Sequence, residues 1–103
     1  MVLGLEIDAV ISALNSRSRR HILKALSKFF GYPANALTLK ELVLELIQDP
    51  DFKVKRRESI YKALEKLVDS GLVKKYHEEG RGMCYSIVKT RLEIDLAKGT
   101  VGQ

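Results

Sequence analysis

The chain has 103 residues, with 18 Lys and Arg against 13 Asp and Glu, a net charge of +5 and a single cysteine, Cys84. That length builds one domain around one core, not two. The lone cysteine excludes an intramolecular disulfide framework, no apolar run approaches the ~20 residues that span a bilayer, and Met1 to Glu6 turns acidic too soon for a secretion signal, so a soluble cytoplasmic protein without membrane contact is expected.

Leu3, Ile7, Val10, Ile11 and Leu14 keep helical spacing and predict a short amphipathic helix over 2–14. Asn15 or Ser16 is placed to cap a second helix over 16–30. That helix buries Ile22, Leu26, Phe29 and Phe30 and lines its other face with Arg17, Arg20, Lys24 and Lys28; Gly31 and Pro33 end it. Thr38-Leu-Lys-Glu41 reads as a capping box opening a third helix, 39–48, with Leu39, Leu42, Val43, Leu46 and Ile47 on one side. Asp49-Pro50-Asp51 breaks it. In a fourth helix, 55–70, Ile60, Leu64, Leu67 and Val68 form one apolar face. Gly71 then stands where a left-handed residue ends a helix, followed by Leu72, the apolar contact such caps favour.

Val73 to His77 and Met83 to Val88 read as two strands, joined by Glu78-Glu79-Gly80-Arg81-Gly82, whose glycines supply the positive φ of a tight hairpin. Leu92, Ile94 and Leu96 alternate with charges, so 89–103 is read as a C-terminal strand or an irregular tail. A helix pair followed by a β-hairpin wing is the shape of a winged-helix DNA reader. The predicted fold class is α+β, mainly α, as one domain over 1–103, with an N-terminal helix (1–14), a winged-helix core (15–88) and a tail (89–103).

Charge is unevenly distributed. Residues 16–31 carry five bases and no acid; residues 53–75 carry eight bases against three acids. The remaining segments are acidic or balanced. Two basic helical segments are the footprint that a polyanion partner requires, although solvated faces have the same composition.

Asn15-Ser-Arg-Ser-Arg-Arg20-His-Ile-Leu-Lys-Ala-Leu26 resembles the opening helix of winged-helix regulators of the arsenical-resistance-repressor type. Ser59-Ile-Tyr-Lys-Ala-Leu64 through Gly71-Leu-Val73 resembles the recognition helix and first wing strand of the wider group, which includes phenolic-acid-repressor-like proteins. Gly82-Met-Cys-Tyr85-Ser-Ile87 resembles their second wing strand. The resemblance covers residues 15–88. It implies that helices 39–48 and 55–70 form a helix-turn-helix whose second helix enters the major groove.

On that reading Arg56 and Arg57 occupy the helix end that approaches the bases, where an arginine pairs with guanine. Basic residues there oppose the helix dipole, so helix stability does not account for them; a phosphate partner does. Ser59, Lys62, Glu65 and Lys66 lie outward or flank the buried face, with Tyr61 at its edge, and lysines suit phosphates. Lys75 and Arg81 are the wing candidates. The resemblance sends Arg81, between two glycines, toward the minor groove or its phosphates. Each has a bland alternative: a core-edge tyrosine, solvated turn arginines. Glu41, Glu45, Glu78 and Glu79 would repel DNA.

Metal sensing, common in the arsenical-repressor group, does not carry over, because residues 39–48 hold neither Cys nor His. His77 and Cys84 facing each other across the hairpin would supply only two ligands, so no metal or other cofactor is expected. Ser59-x-x-Lys62 matches a serine-lysine hydrolase pattern without any second constellation, and Gly80-Arg-Gly82 lacks the helix and lysine of a phosphate-binding loop; the chain is not expected to be an enzyme. The expected function is a sequence-specific, double-stranded-DNA-binding transcription regulator, a homodimer because operators are near-palindromic. The stripe on 2–14 either meets a second copy, assisted by 92–96, or packs on its own domain. The alternative is a winged-helix protein-interaction module of transcription or replication machinery. RNA is disfavoured for want of an aromatic stacking platform.

Overall fold

The computed structural model describes residues 5–30, 36–52 and 56–102. Its helices are α1 (Ile7–Leu14), α2 (Arg17–Ser27), α3 (Leu39–Ile47) and α4 (Arg57–Asp69). Its strands are β1 (Leu5–Glu6), β2 (Leu37–Thr38), β3 (Val73–Glu78), β4 (Gly82–Ile87), β5 (Glu93–Asp95) and β6 (Thr100–Gly102).

Helix α1 starts later than its apolar spacing suggests. Glu6 is its N-cap, its carboxylate accepting from the amides of Asp8 and Ala9 at 3.0 and 2.8 Å. Leu5 and Glu6 instead pair as a strand with Val101 and Thr100. The partner strand lies almost a chain length away, so local spacing could not reveal it. The part of the expected helix before residue 5 lies outside the described residues, as do Gly31 and Pro33.

Ser16 caps α2, accepting from the Arg19 amide. Ile22, Ala25 and Leu26 are buried and Phe29 is half-buried, but Phe30, expected in the core, is 42 % exposed, since the helix has already opened into a turn after Ser27. The capping box of α3 is present in both directions: the Thr38 hydroxyl accepts from the Glu41 amide, and the Glu41 carboxylate accepts from the Thr38 amide. Leu42 and Leu46 are buried, yet Ile47 is 72 % exposed, because six apolar positions in nine span more of the helix than one core can cover.

Helix α4 buries Ile60, Leu64 and Leu67 in the same core. Its C-terminus is a Schellman motif: the Leu72 amide donates to the Leu67 carbonyl at 3.2 Å and the Gly71 amide to the Val68 carbonyl at 3.0 Å. Gly71 takes φ +86°, a left-handed conformation. Gly71→Ala should therefore cost about 1–2 kcal/mol. Urea denaturation checks it: a lower midpoint with an unchanged slope is expected.

Strands β3 and β4 form the wing, paired from Val73↔Ile87 to Glu78↔Gly82. The sequence reading missed β2, which pairs Leu37↔Tyr85 and Thr38↔Cys84 and makes a three-stranded sheet in the order β2-β4-β3. It also missed β6. The tail is a hairpin, β5 with β6, and with β1 it forms a second sheet in the order β1-β6-β5, from which Val101 enters the core. Helices α3 and α4 with the wing make this a winged helix-turn-helix, α+β with helices dominant.

Candidate nucleic-acid interface

The outward surface of α4 is built by default. With Ile60, Leu64 and Leu67 spent on the core, helical spacing leaves two flanks. One flank carries Ser59, Lys62 and Lys66, all exposed. They line an open groove with Ser16, Ser18 and Arg19 from the start of α2 and with Phe52 from the turn between α3 and α4. Among the described residues, no hydrogen bond or ion pair engages the side chain of Lys62 or Lys66. Arg56 is the N-cap, extended at φ −91° and ψ 126°, with no side-chain capping bond, and Arg57 is the first helical residue; both are exposed.

The other flank faces the wing. Tyr61, 44 % exposed, donates its hydroxyl to Glu65 Oε1 at 3.1 Å, and the same oxygen accepts from Lys75 Nζ on β3 at 2.7 Å. Lys75 chiefly, and Tyr61 after it, hold the Glu65 carboxyl below its ordinary value, and Glu65 holds the Lys75 ammonium above its own. Glu65 Oε2 is buried without a protein partner among the described residues. Two candidate residues, Tyr61 and Lys75, thus meet through Glu65, which helical spacing places on the same flank but to which it assigns no role. The i, i+4 spacing of Tyr61 and Glu65 was the available signal; the approach of Lys75 is tertiary.

Arg81 departs most from expectation. Its side chain is 28 % exposed and turned away from the tip of the wing. The guanidinium donates to Glu78 Oε2 at 3.1 Å, to the Ala36 carbonyl at 3.0 Å and to Glu41 Oε1. The hairpin makes this geometry available: Gly80 and Gly82 take φ +84° and +92°, and the Arg81 amide donates to the Glu78 carbonyl. Two carboxylates and a carbonyl within reach outcompete solvent for a guanidinium whose five donors lie in a fixed fork. Arg81 therefore ties the wing to the N-terminus of α3, and Glu41, expected to repel DNA, is occupied by the capping box and by Arg81.

A third link fixes the helix-turn-helix turn. His21 Nδ1 lies 2.8 Å from Asp49 Oδ2, and the Phe52 ring packs edge-on against His21. Asp49 also accepts from the Asp51 amide at 2.9 Å, the principal reason its carboxyl sits below its ordinary value, with His21 next. Glu41 is lowered first by the Thr38 amide and then by Arg81. A carboxyl lowered by folding stabilises the fold above its unfolded pKa, and that stability is lost as pH falls through the folded value. Thermal stability should hold at neutral pH and fall as pH drops below the ordinary 4.5 of Glu41 and Glu65 and 3.8 of Asp49. Melting scans across an acid series check this; in Glu65→Gln the acid-side loss should be smaller.

Cys84 does not face His77 across the hairpin. It pairs with Tyr76, while His77 pairs with Met83, so strand alternation puts the two on opposite faces of the sheet. Cys84 is fully buried, and burial pushes its thiol up, away from the reactive thiolate. Among the described residues, no group of three or more His, Cys, Asp or Glu side chains gathers as metal ligands do. No helix among them is long and apolar enough to cross a membrane.

The fold and site thus define a winged helix-turn-helix with an exposed basic flank on its second helix. A solved structure of the ferric uptake regulator (Fur) of Vibrio cholerae, a protein with DNA-binding domains that rearrange, is similar to this chain with a TM-score of 0.60 and 20 % identity, over 93 % of this chain and 74 % of that one. At that identity the likeness establishes the fold. No protein-family profile matches the chain, and neither does any curated protein.

Proposed function

We propose that the chain is a sequence-specific regulator of transcription that binds double-stranded DNA, with α4 in the major groove and the wing, 73–88, along the adjoining backbone or minor groove. The observation that carries this reading is the basic flank of α4: Arg56, Arg57, Lys62 and Lys66 are exposed without partners among the described residues, on a helix whose other face is locked into the core. The fold shared with a protein that has DNA-binding domains supports it. In this reading Arg56 and Arg57 approach base edges, Ser59, Lys62 and Lys66 hold phosphates, and Tyr61 stands beside them with its hydroxyl held by Glu65. Lys75 and Arg81 act by holding the wing to α4 and to α3. The protein works in the cytoplasm, without enzymatic activity, as a homodimer that matches a two-fold operator.

Fluorescence anisotropy with random and source-promoter duplexes across a salt series tests the reading. A preferred duplex and a steep fall of affinity with salt are expected; no binding to any duplex at low salt would sink it. One observation favours the rival protein-interaction reading. Leu44 and Ile47 leave apolar surface exposed on α3. Substituting both with Lys should leave DNA affinity undiminished if α4 is the reader.

A further inference from the structure

The proposed reader uses only one of the two basic segments. The other is α2, and its bases sort by what engages them. Arg19 donates to the carbonyls of Ala13 and Ser12 at 2.7 and 3.0 Å, and Arg20 to that of Leu14 at 2.7 Å, so both close the C-terminus of α1, which has no basic residue in its own last turn. Lys28 is paired with Glu45 at 3.1 Å. Arg17 and Lys24 remain. Both are exposed, and neither side chain makes a hydrogen bond or ion pair among the described residues, although the charge of Lys24 also helps to lower the Asp49 carboxyl. With Arg20 and His21 they line a shallow open cleft of about 390 Å³. The acids nearest this face are already engaged, Asp49 by His21 and Glu45 by Lys28.

The position of this face follows from packing. Helix α2 buries Ile22, Ala25 and Leu26 in the core that also takes Ile60, Leu64 and Leu67 of α4. Arg17, Arg20 and Lys24 fall opposite those residues at helical spacing. The groove on α4 is lined from α2 and its N-cap by Ser16, Ser18, Arg19 and Ile22, whereas Arg17 and Lys24 line the separate cleft on the outer face of α2. In the first turn of α2, Arg17 also adds its charge to the positive end of the helix dipole, which opposes helix formation. Nothing within the fold accounts for its placement.

We infer that the outer face of α2 is a second docking surface, centred on Arg17 and Lys24, for the phosphodiester backbone of DNA beyond the segment under α4. The inference rests on the DNA reading above and extends it: DNA must continue past the reader site and curve toward α2. Backbone contacts of this kind add affinity without reading sequence and contribute about 0.9 to the salt slope for each phosphate neutralised.

The test compares the full chain with R17Q/K24Q and with a control, K89Q/K98Q, which removes the same charge from exposed positions elsewhere. Each is titrated by anisotropy over a salt series, with a duplex that ends at the reader site and with one that extends well past it. On the extended duplex R17Q/K24Q should lower the salt slope by about 1.8 and lose the affinity gained from the extra length, while keeping the sequence preference and the melting temperature. The control should keep both. An unchanged slope in R17Q/K24Q, or an equal drop in the control, overturns the inference and leaves the reader intact. A wild-type chain that binds neither duplex overturns both.

Discussion

Leu64→Ala should destabilise the protein by about 2–5 kcal/mol, the range for truncating a buried leucine, and so remove a large part of the net stability of a domain this size. Leu64 is fully buried and lies on the core face of α4 between Ile60 and Leu67, in the cluster that also takes Leu26 and Leu42 from α2 and α3. Three helices share one contact region, so the vacated volume cannot collapse from one side alone, which places the cost toward the upper part of the range. Chemical denaturation reads it directly. A loss below about 1 kcal/mol would mean that α4 is not anchored as described. The same variant should also bind DNA less well in rough proportion to the fraction unfolded, a trivial effect against which interface variants must be judged.

The second large effect separates function from folding. Arg57→Ala with Lys62→Ala should weaken preference for the cognate duplex by about 1–3 kcal/mol, the discrimination carried by one bidentate arginine–guanine pair, since Arg56 remains. The salt slope should fall by about 0.9 for each phosphate contact removed. Both side chains are exposed and partnerless among the described residues, so neither deletion opens a cavity. Removing Arg57 also relieves an unfavourable charge at the helix N-terminus, so the melting temperature should hold or rise. Lost binding with undiminished stability is the signature of residues retained for a partner. Lost binding with lost stability would instead put Arg57 and Lys62 in the scaffold.

The legible and the hidden parts of this chain divide by sequence distance. The capping box of Thr38 and Glu41, the left-handed Gly71 with Leu72 behind it, and the Glu78–Gly82 hairpin depend on groups within five residues of one another, and the residue types alone identified them; for the cap of α2 they narrowed the choice to Asn15 or Ser16, of which Ser16 serves. The apolar face of α4 was equally plain, because a 3.6-residue period repeated over three turns has one reading. The exposed Phe30 and Ile47 show the limit of that signal: periodicity names which residues share a face but not how much of the face the core covers.

At the interface the same division holds. Sequence spacing alone determined that Arg56, Arg57, Ser59, Lys62 and Lys66 would stand outside the buried face of one helix, because burying Ile60, Leu64 and Leu67 leaves them nowhere else to go. Only the tertiary structure decided which of the remaining charges are free. Arg81 is drawn to Glu41, 40 residues away, and Lys75 to Glu65, 10 residues away; Arg19 and Arg20 are spent on the carbonyls of α1, and Arg17 and Lys24 are left without a side-chain partner among the described residues. A charge finds its partner by proximity in space, and β1 meets β6 for the same reason. Chain order carries little of that information, so composition located the basic segments while packing assigned each base its work.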